Sequence, residues 1–331
     1  MLVKFFRRDT IQVYATFILI SVAIWVKSLI GVGEWEPLRT LEYGTPVELL
    51  INRFGIANPM LSSILAFVIA VFVILMMHRL NNRYIFVPQR SIIPALLFVI
   101  ISFSFTSLQH LSPALVAMPF LILSLDSIFA SYRKDYAEGE FFLASFFVAL
   151  AAIAYLPSLV FMVMIVFSMF IMRSFSWREW VAMLAGAVVP LLFLVTYYLF
   201  FEPNSLELLK TFDPAKIIAA IPKRMNSFFG YGFLAVLTIA GIYASFFMLS
   251  WIGTQKVRTN KIFLVFYSMI AIGGFAYLMI PTVSKEIMLV VSLPLSYILG
   301  VFLIFTRRTF VADAILMTIL ALTVLLQIFA E

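Results

Sequence analysis

Eleven apolar stretches follow one another along this chain, and the basic residues between them fall on alternate sides. A helix of about 20 apolar residues matches the hydrocarbon thickness of a bilayer, and inside that layer every backbone N–H and C=O must find its partner within the protein. The pattern therefore predicts an all-α, polytopic integral membrane protein. Composition agrees: 64% of the residues are hydrophobic, 12% are charged and the mean hydropathy is +1.09, which is more apolar surface than a water-soluble core can hide.

Spans are predicted at about 11–30, 58–78, 91–108, 113–131, 141–155, 157–173, 180–201, 228–251, 262–280, 287–306 and 309–329. The turn Tyr155-Leu156-Pro157 splits the shortest pair and is expected at the interface, screened from lipid by neighbouring helices. One side of the layer receives Lys4, Arg7, Arg8, Arg79, Arg83, Arg90, Arg133, Lys134, Arg173, Arg178, Lys256, Arg258, Lys261, Arg307 and Arg308, which is 15 of the 23 Lys and Arg. The other receives Lys27, Arg39, Arg53, Lys210, Lys216, Lys223, Arg224 and Lys285, mostly in longer loops where charge weighs less on orientation. The positive-inside rule then places the N-terminus in the cytoplasm and the C-terminus outside.

The opening MLVKFFRRDT has the basic character of a secretory signal, but the apolar run after it is long and no small-residue cleavage site follows, so it reads as a retained first helix. The chain has no Cys, hence no disulfide and no thiolate metal site. Its net charge of +7 is explained by topology and anionic lipid. Basic residues scattered over short loops argue against a nucleic-acid partner.

Cytoplasmic connections such as HRLNNRYIFVPQR are short and basic, whereas two external loops, 31–57 and 202–227, are long. Chemistry is therefore expected on the external face. In the first loop Thr45, Pro46 and Glu48 form a capping-box start for a short helix whose Val47, Leu50, Ile51 and Phe54 share one face, expected to turn inward along the membrane surface. Asp126 and Asp313 are the acids nearest the bilayer interior, and structural ion pairs with Arg133 or Lys134, and with Arg307 or Arg308, are expected for them.

Nucleotide-binding loops, zinc-protease helices and nucleophile elbows are absent from the sequence. Glu34, Glu36, Glu42 and Glu48 instead cluster in the first external loop beside Arg39 and Arg53. Together with SFFVALAAIAYLPSLVFMVMIVFSMFIMRSFSWREWVAMLAGAVVPLLFLVTYYLFF, this arrangement resembles polyprenyl-phosphate-sugar-dependent glycosyltransferases of the GT-C fold and a bacterial multispan inner-membrane family related to them. The resemblance covers residues 1–201, a GT-C-like module with the acidic loop. Residues 202–331 add the second external loop and the last helices, all within one structural unit. The family's adjacent Asp-Glu pair is replaced here by Glu34-Trp35-Glu36.

The resemblance implies a bacterial inner-membrane enzyme that takes a sugar from a polyprenyl phosphate donor. Glu36, with Glu34 as second candidate, would deprotonate or orient the acceptor. Arg39, Arg53, Lys223, Arg224 and Lys285 lie at the depth where a lipid phosphate would need cations, although headgroup contact or snorkelling accounts for each of them too. His110, in the LQHLSP turn, is a candidate to donate to phosphate. No cofactor is required, and the external carboxylates suit a divalent metal as readily as a base. The expected partners are membrane lipid, the donor lipid and a possible membrane-protein partner. Two further readings remain: a non-catalytic structural subunit of an envelope complex, and a lipid or solute transporter, which would want a carboxylate nearer mid-membrane than any found here.

Overall fold

The computed structural model describes residues 2–30, 45–87, 91–172, 176–201, 228–280 and 283–329, and every regular element among them is helical. In chain order these are α1 (Leu2–Phe6), α2 (Ile11–Leu29), α3 (Pro46–Ala57), α4 (Pro59–Tyr84), α5 (Ile93–Ser102), α6 (Pro113–Ala130), α7 (Glu138–Ala154), α8 (Met162–Met172), α9 (Trp177–Phe201), α10 (Phe228–Ile252), α11 (Val257–Met279), α12 (Ile287–Phe305) and α13 (Thr309–Phe329). Short 3-10 helices stand at Thr106–Leu108 and Leu156–Phe161. Eight helices, α2, α4, α6 and α9 to α13, are long and apolar enough to cross a membrane. The other apolar stretches also fold as helices, but α5, α7 and α8 are shorter.

Polar residues set the boundaries that hydropathy misses. Helix α4 runs past the apolar stretch to Tyr84, where Ile85 takes a left-handed φ of 48°. The Asn81 side chain holds that exit, accepting from the Val87 N–H at 2.9 Å and donating to the Val87 carbonyl. Helix α6 begins at Pro113 because Ser112 caps it, its hydroxyl accepting from the Leu115 N–H at 3.2 Å. Helix α5 stops at Ser102, well short of the predicted end at 108. In the α7–α8 turn Tyr155 and Pro157 are buried and Leu156 is exposed.

The centre is built from α5 and α12, which pack on each other and are almost wholly buried. Ser102 and Ser292 share a hydrogen bond across this contact. Toward one end, the rings of Phe86, Phe129, Phe263, Phe266 and Tyr297 interlock, with Phe266 and Tyr297 stacked at 5.3 Å and Tyr297 donating to the Met77 carbonyl at 2.8 Å. Helices α2, α4, α9, α10 and α13 form the periphery, presenting Ile18, Phe72, Phe193, Ile239 and Met317 outward. An apolar rim of this kind is stable only against lipid or another apolar surface.

Side-chain contacts tie the helix ends into two opposite groups. At the basic end Arg7 donates from Nε and Nη2 to the Leu303 carbonyl and from Nη2 to the Thr306 carbonyl, closing the C-terminus of α12 with a cation where the helix dipole favours one. Burial pushes the Arg7 guanidinium below its ordinary value. Asp313 accepts from the Val3 N–H at 2.8 Å rather than pairing with Arg307 or Arg308. Asp126 pairs with Arg83 of α4, not with Arg133 or Lys134. An ion pair is present at Asp126 as expected, but its partner comes from a neighbouring helix instead of the adjacent turn.

Gly186 of α9 lies against α7 so closely that a Cβ would collide with the Phe142 carbonyl and the Ser145 hydroxyl. Backbone cannot yield cheaply, so Gly186→Val is expected to destabilise the protein by roughly 1–3 kcal/mol. Thermal unfolding of the detergent-solubilised protein checks this, with Gly232→Val, where a Cβ meets open space, as the variant expected to melt near wild type.

Candidate functional site: a buried polar layer at one end of the bundle

Opposite the basic end, the close of α2, the starts of α4, α10 and α12 and the segment 103–112 meet around side chains unusual for so apolar a protein. Gln109 is fully buried. Its Nε2 donates to the Ile24 carbonyl at 3.0 Å and to the Phe103 carbonyl at 2.9 Å, while its Oε1 accepts from Ser28 at 2.7 Å. From α13, Gln327 Nε2 adds a bond to the Ile24 carbonyl at 3.2 Å, and Lys27 Nζ donates to the Gln327 carbonyl at 3.0 Å. Next to this knot, Ser63 shares a hydrogen bond of 2.9 Å with His110 Nδ1, and the Leu111 N–H donates to the Ser62 hydroxyl at 2.9 Å.

Helix α3 rests on α4, α6 and α7. Its start is as expected: Thr45 is the N-cap, Pro46 takes the first turn and the Thr45 hydroxyl accepts from the Glu48 N–H at 3.1 Å. Its facing differs from the expectation in part, since Ile51 is buried and Phe54 half-buried whereas Val47 and Leu50 are not. Glu48, Ile51, Asn52 and Gly55, spaced at helical intervals, form the buried side, with Glu48 only 2% exposed. Val47, Leu50 and Ile56 stand exposed. The helix thus turns a stripe containing a carboxylate and an amide, together with Ile51, toward the bundle, and Val47, Leu50 and Ile56 away from it. In water this would be upside down; beside lipid it is the arrangement that removes polar groups from hydrocarbon.

The start of α12 completes the layer. Ser284 and Glu286 are buried, the Ser284 hydroxyl donating to Glu286 Oε2 at 3.2 Å. Lys285 is half-buried with its ammonium 5.6 Å from the centre of the Phe105 ring. Phe105 also meets Phe233 of α10 edge to face. The hydroxyls of Thr106, Ser107 and Ser158 are buried without a hydrogen-bond partner among the described residues.

Of the residues singled out from sequence, His110 and Lys285 are brought to the same short segment, one within it and one over its Phe105 ring. Arg53 is exposed on α3. Glu34, Glu36, Arg39, Lys223 and Arg224 lie outside the described residues. Among the described residues no three His, Asp or Glu side chains gather as metal ligands. A shallow hollow of about 380 Å³ at the α3–α4 joint is lined mainly by apolar side chains, Met60, Leu61 and Ile64 among them.

Sequence reasoning passed over Gln109, Glu48 as a buried carboxylate, Asn52 and Glu286. A signal existed for two of them: Glu48 and Asn52 are four apart, a polar pair on one helical face. Comparison of the chain with protein-family models, curated proteins and solved structures finds no match.

Gln109→Leu removes the donor to two buried carbonyls and the acceptor for Ser28. A loss of at least ~2 kcal/mol is expected, since each stranded polar group costs ~1–3 kcal/mol. Gln327→Leu, which removes a single side-chain bond, is expected to cost less. Unfolding midpoints of the two variants in one detergent decide the order.

Proposed function

We propose that the chain is a multi-pass protein of the bacterial inner membrane, with its basic end in the cytoplasm, and that its opposite end carries out GT-C-like transfer of a sugar from a polyprenyl phosphate to an acceptor. The observation that carries this reading is helix α3, which turns Glu48 and Asn52 toward the bundle at the end where His110, Ser63, Lys285 and Glu286 are gathered. An all-helical membrane protein has little use for so much buried polarity in one layer unless it packs a break in the bundle or receives a polar substrate. Both long segments predicted to be external, with Glu34 and Glu36 in one and Lys223 and Arg224 in the other, connect to helices that end or begin in this layer.

In this reading a carboxylate, Glu36 or Glu34, accepts the proton of the acceptor hydroxyl as its oxygen bonds to the anomeric carbon of the donor sugar. The bond from that carbon to the phosphate oxygen breaks, and the electron pair leaves with the polyprenyl phosphate. The cations that the sequence assigns to the external interface, Lys285, Arg39, Arg53, Lys223 and Arg224, compensate the charge left on the phosphate. Glu48, held in the first turn of α3, is a third carboxylate on the same side.

Native mass spectrometry of gently solubilised protein tests donor binding. Wild type is expected to retain a polyprenyl-phosphate species that is lost from Lys223→Ala/Arg224→Ala, and Glu36→Gln is expected to keep the lipid while turnover falls at least ~100-fold. A stoichiometric protein partner with no such lipid would replace this reading with that of a structural subunit. Orientation is read separately. The chain has no Cys, so single cysteines can be labelled cleanly: Asn58→Cys should react with an impermeant maleimide from outside intact spheroplasts, and Asp135→Cys only after lysis.

A further inference from the structure

The basic end carries charge that its own carboxylates do not match. Two tyrosine rings, Tyr84 at the end of α4 and Tyr132 just after α6, are surrounded by cations. The Arg258 guanidinium lies 4.7 Å from the centre of the Tyr84 ring and 5.8 Å from that of Tyr132. Lys261 and Arg133 each lie 5.5 Å from the Tyr132 ring, and Arg83 lies 5.4 Å from the Tyr84 ring. Asp126 neutralises Arg83, and Glu140 neutralises Lys134. Arg258, Lys261 and Arg133 have no ion-pair partner among the described residues.

The bonds these three do make are to neutral groups. Lys261 Nζ donates to the Met172 carbonyl at 3.0 Å. Arg258 Nη2 reaches the Phe129 carbonyl only at 3.4 Å, and its Nε is buried without an acceptor. Arg133 sits at a left-handed φ of 59°, uncommon for a residue with a side chain. Three like charges, each 5.8 Å or less from one ring centre, repel one another, and Arg258 and Lys261 are partly buried, where salt screens less than at an exposed site. Arg258 and Lys261 also occupy the start of α11, whose N-cap Lys256 makes no side-chain cap bond. That is the helix end where positive charge is disfavoured.

Rings alone do not balance this repulsion: a cation–π contact contributes ~0.5–2 kcal/mol and removes no charge. An anion does. Immediately beside the cluster, Ile85, Val257 and Leu264 expose half or more of their surface, so an occupant with apolar chains next to its negative group fits better than a free ion. We propose that Arg258, Lys261 and Arg133, carried on the Tyr84 and Tyr132 rings, hold the phosphate of an anionic phospholipid headgroup whose acyl chains run along α11. Guanidinium and ammonium groups supply phosphate donors of two kinds, and planar rings fix the cations where a flexible headgroup would otherwise have to order them. This inference is independent of any activity at the other end.

The test uses the full chain in detergent, with melting followed on adding phosphatidylglycerol, phosphatidylcholine or inorganic phosphate. Wild type is expected to gain roughly 3 °C or more with phosphatidylglycerol over phosphatidylcholine. Arg258→Gln/Lys261→Gln should lose at least half of that preference, and Arg307→Gln/Arg308→Gln, at the same end but outside the cluster, should keep it. Arg133 is exposed, so Arg133→Gln/Lys261→Gln serves if the first pair folds poorly, and it too should lose the preference. Equal melting in the two lipids, a preference that survives the cluster variants, or one lost equally in the Arg307/Arg308 control would overturn the proposal. So would inorganic phosphate reproducing the rise, since the source would then be a free anion.

Discussion

Everything at the loop-bearing end depends on a break inside the bundle. Helix α5 ends after 10 residues, and the backbone that follows must satisfy its carbonyls where no water is at hand. Backbone N–H groups meet the Phe105 and Thr106 carbonyls, and one side chain ties the segment to α2. Gln109 donates to Phe103 behind it and to Ile24 on α2, and accepts from Ser28. An amide is the only neutral side chain with two donor hydrogens and an acceptor on one rigid plane, which is why a residue so costly to bury stands at the centre of the layer. With α2 and segment 103–112 locked together, His110 is held against Ser63 and the start of α4 is fixed in turn.

That fixed corner explains how α3 is used. A helix of 12 residues cannot cross a bilayer, so its stability must come from docking, and its partners α4, α6 and α7 are already in place. The Thr45 hydroxyl serves twice, capping Glu48 and donating to the Ile153 carbonyl near the end of α7. Capping therefore also positions: the contact that starts the helix sets it on the bundle.

Much of this architecture was legible in the sequence, and the failures share a cause. Long apolar runs must be helices in a bilayer, so α2, α6, α12 and α13 fall within a residue of their predicted bounds. Hydropathy is blind where a helix continues into polar sequence, as α4 does through Arg79-Leu80-Asn81-Asn82-Arg83-Tyr84, or begins in it, as α11 does at Val257. The cap of α3 is a local signal and could be read. Its facing is not local, because which side of an amphipathic helix is buried depends on whether lipid or water bathes the other. Ion pairs fail for the same reason: Asp126 has basic neighbours in sequence, yet Arg83 approaches from 43 positions away. The candidate carboxylates Glu34 and Glu36 and the cations Lys223 and Arg224 fall outside the described residues.

The two ends solve opposite electrostatic problems. At the loop-bearing end polarity is largely buried and mostly neutral, built from amides, hydroxyls and an imidazole, with Glu48, Glu286, Lys285 and Lys27 as charged members. Such groups stay put when paired with backbone, and they favour a well-ordered surface over a strongly charged one. At the basic end the charges are partly exposed and in surplus, and Arg258, Lys261 and Arg133 are supported by rings rather than carboxylates. Had evolution needed stability alone there, an acidic residue beside Arg258 would have removed the repulsion. Among the described residues none pairs with Arg258, which leaves the surplus for an anion supplied from outside the chain, while α12 spans the distance between the two ends.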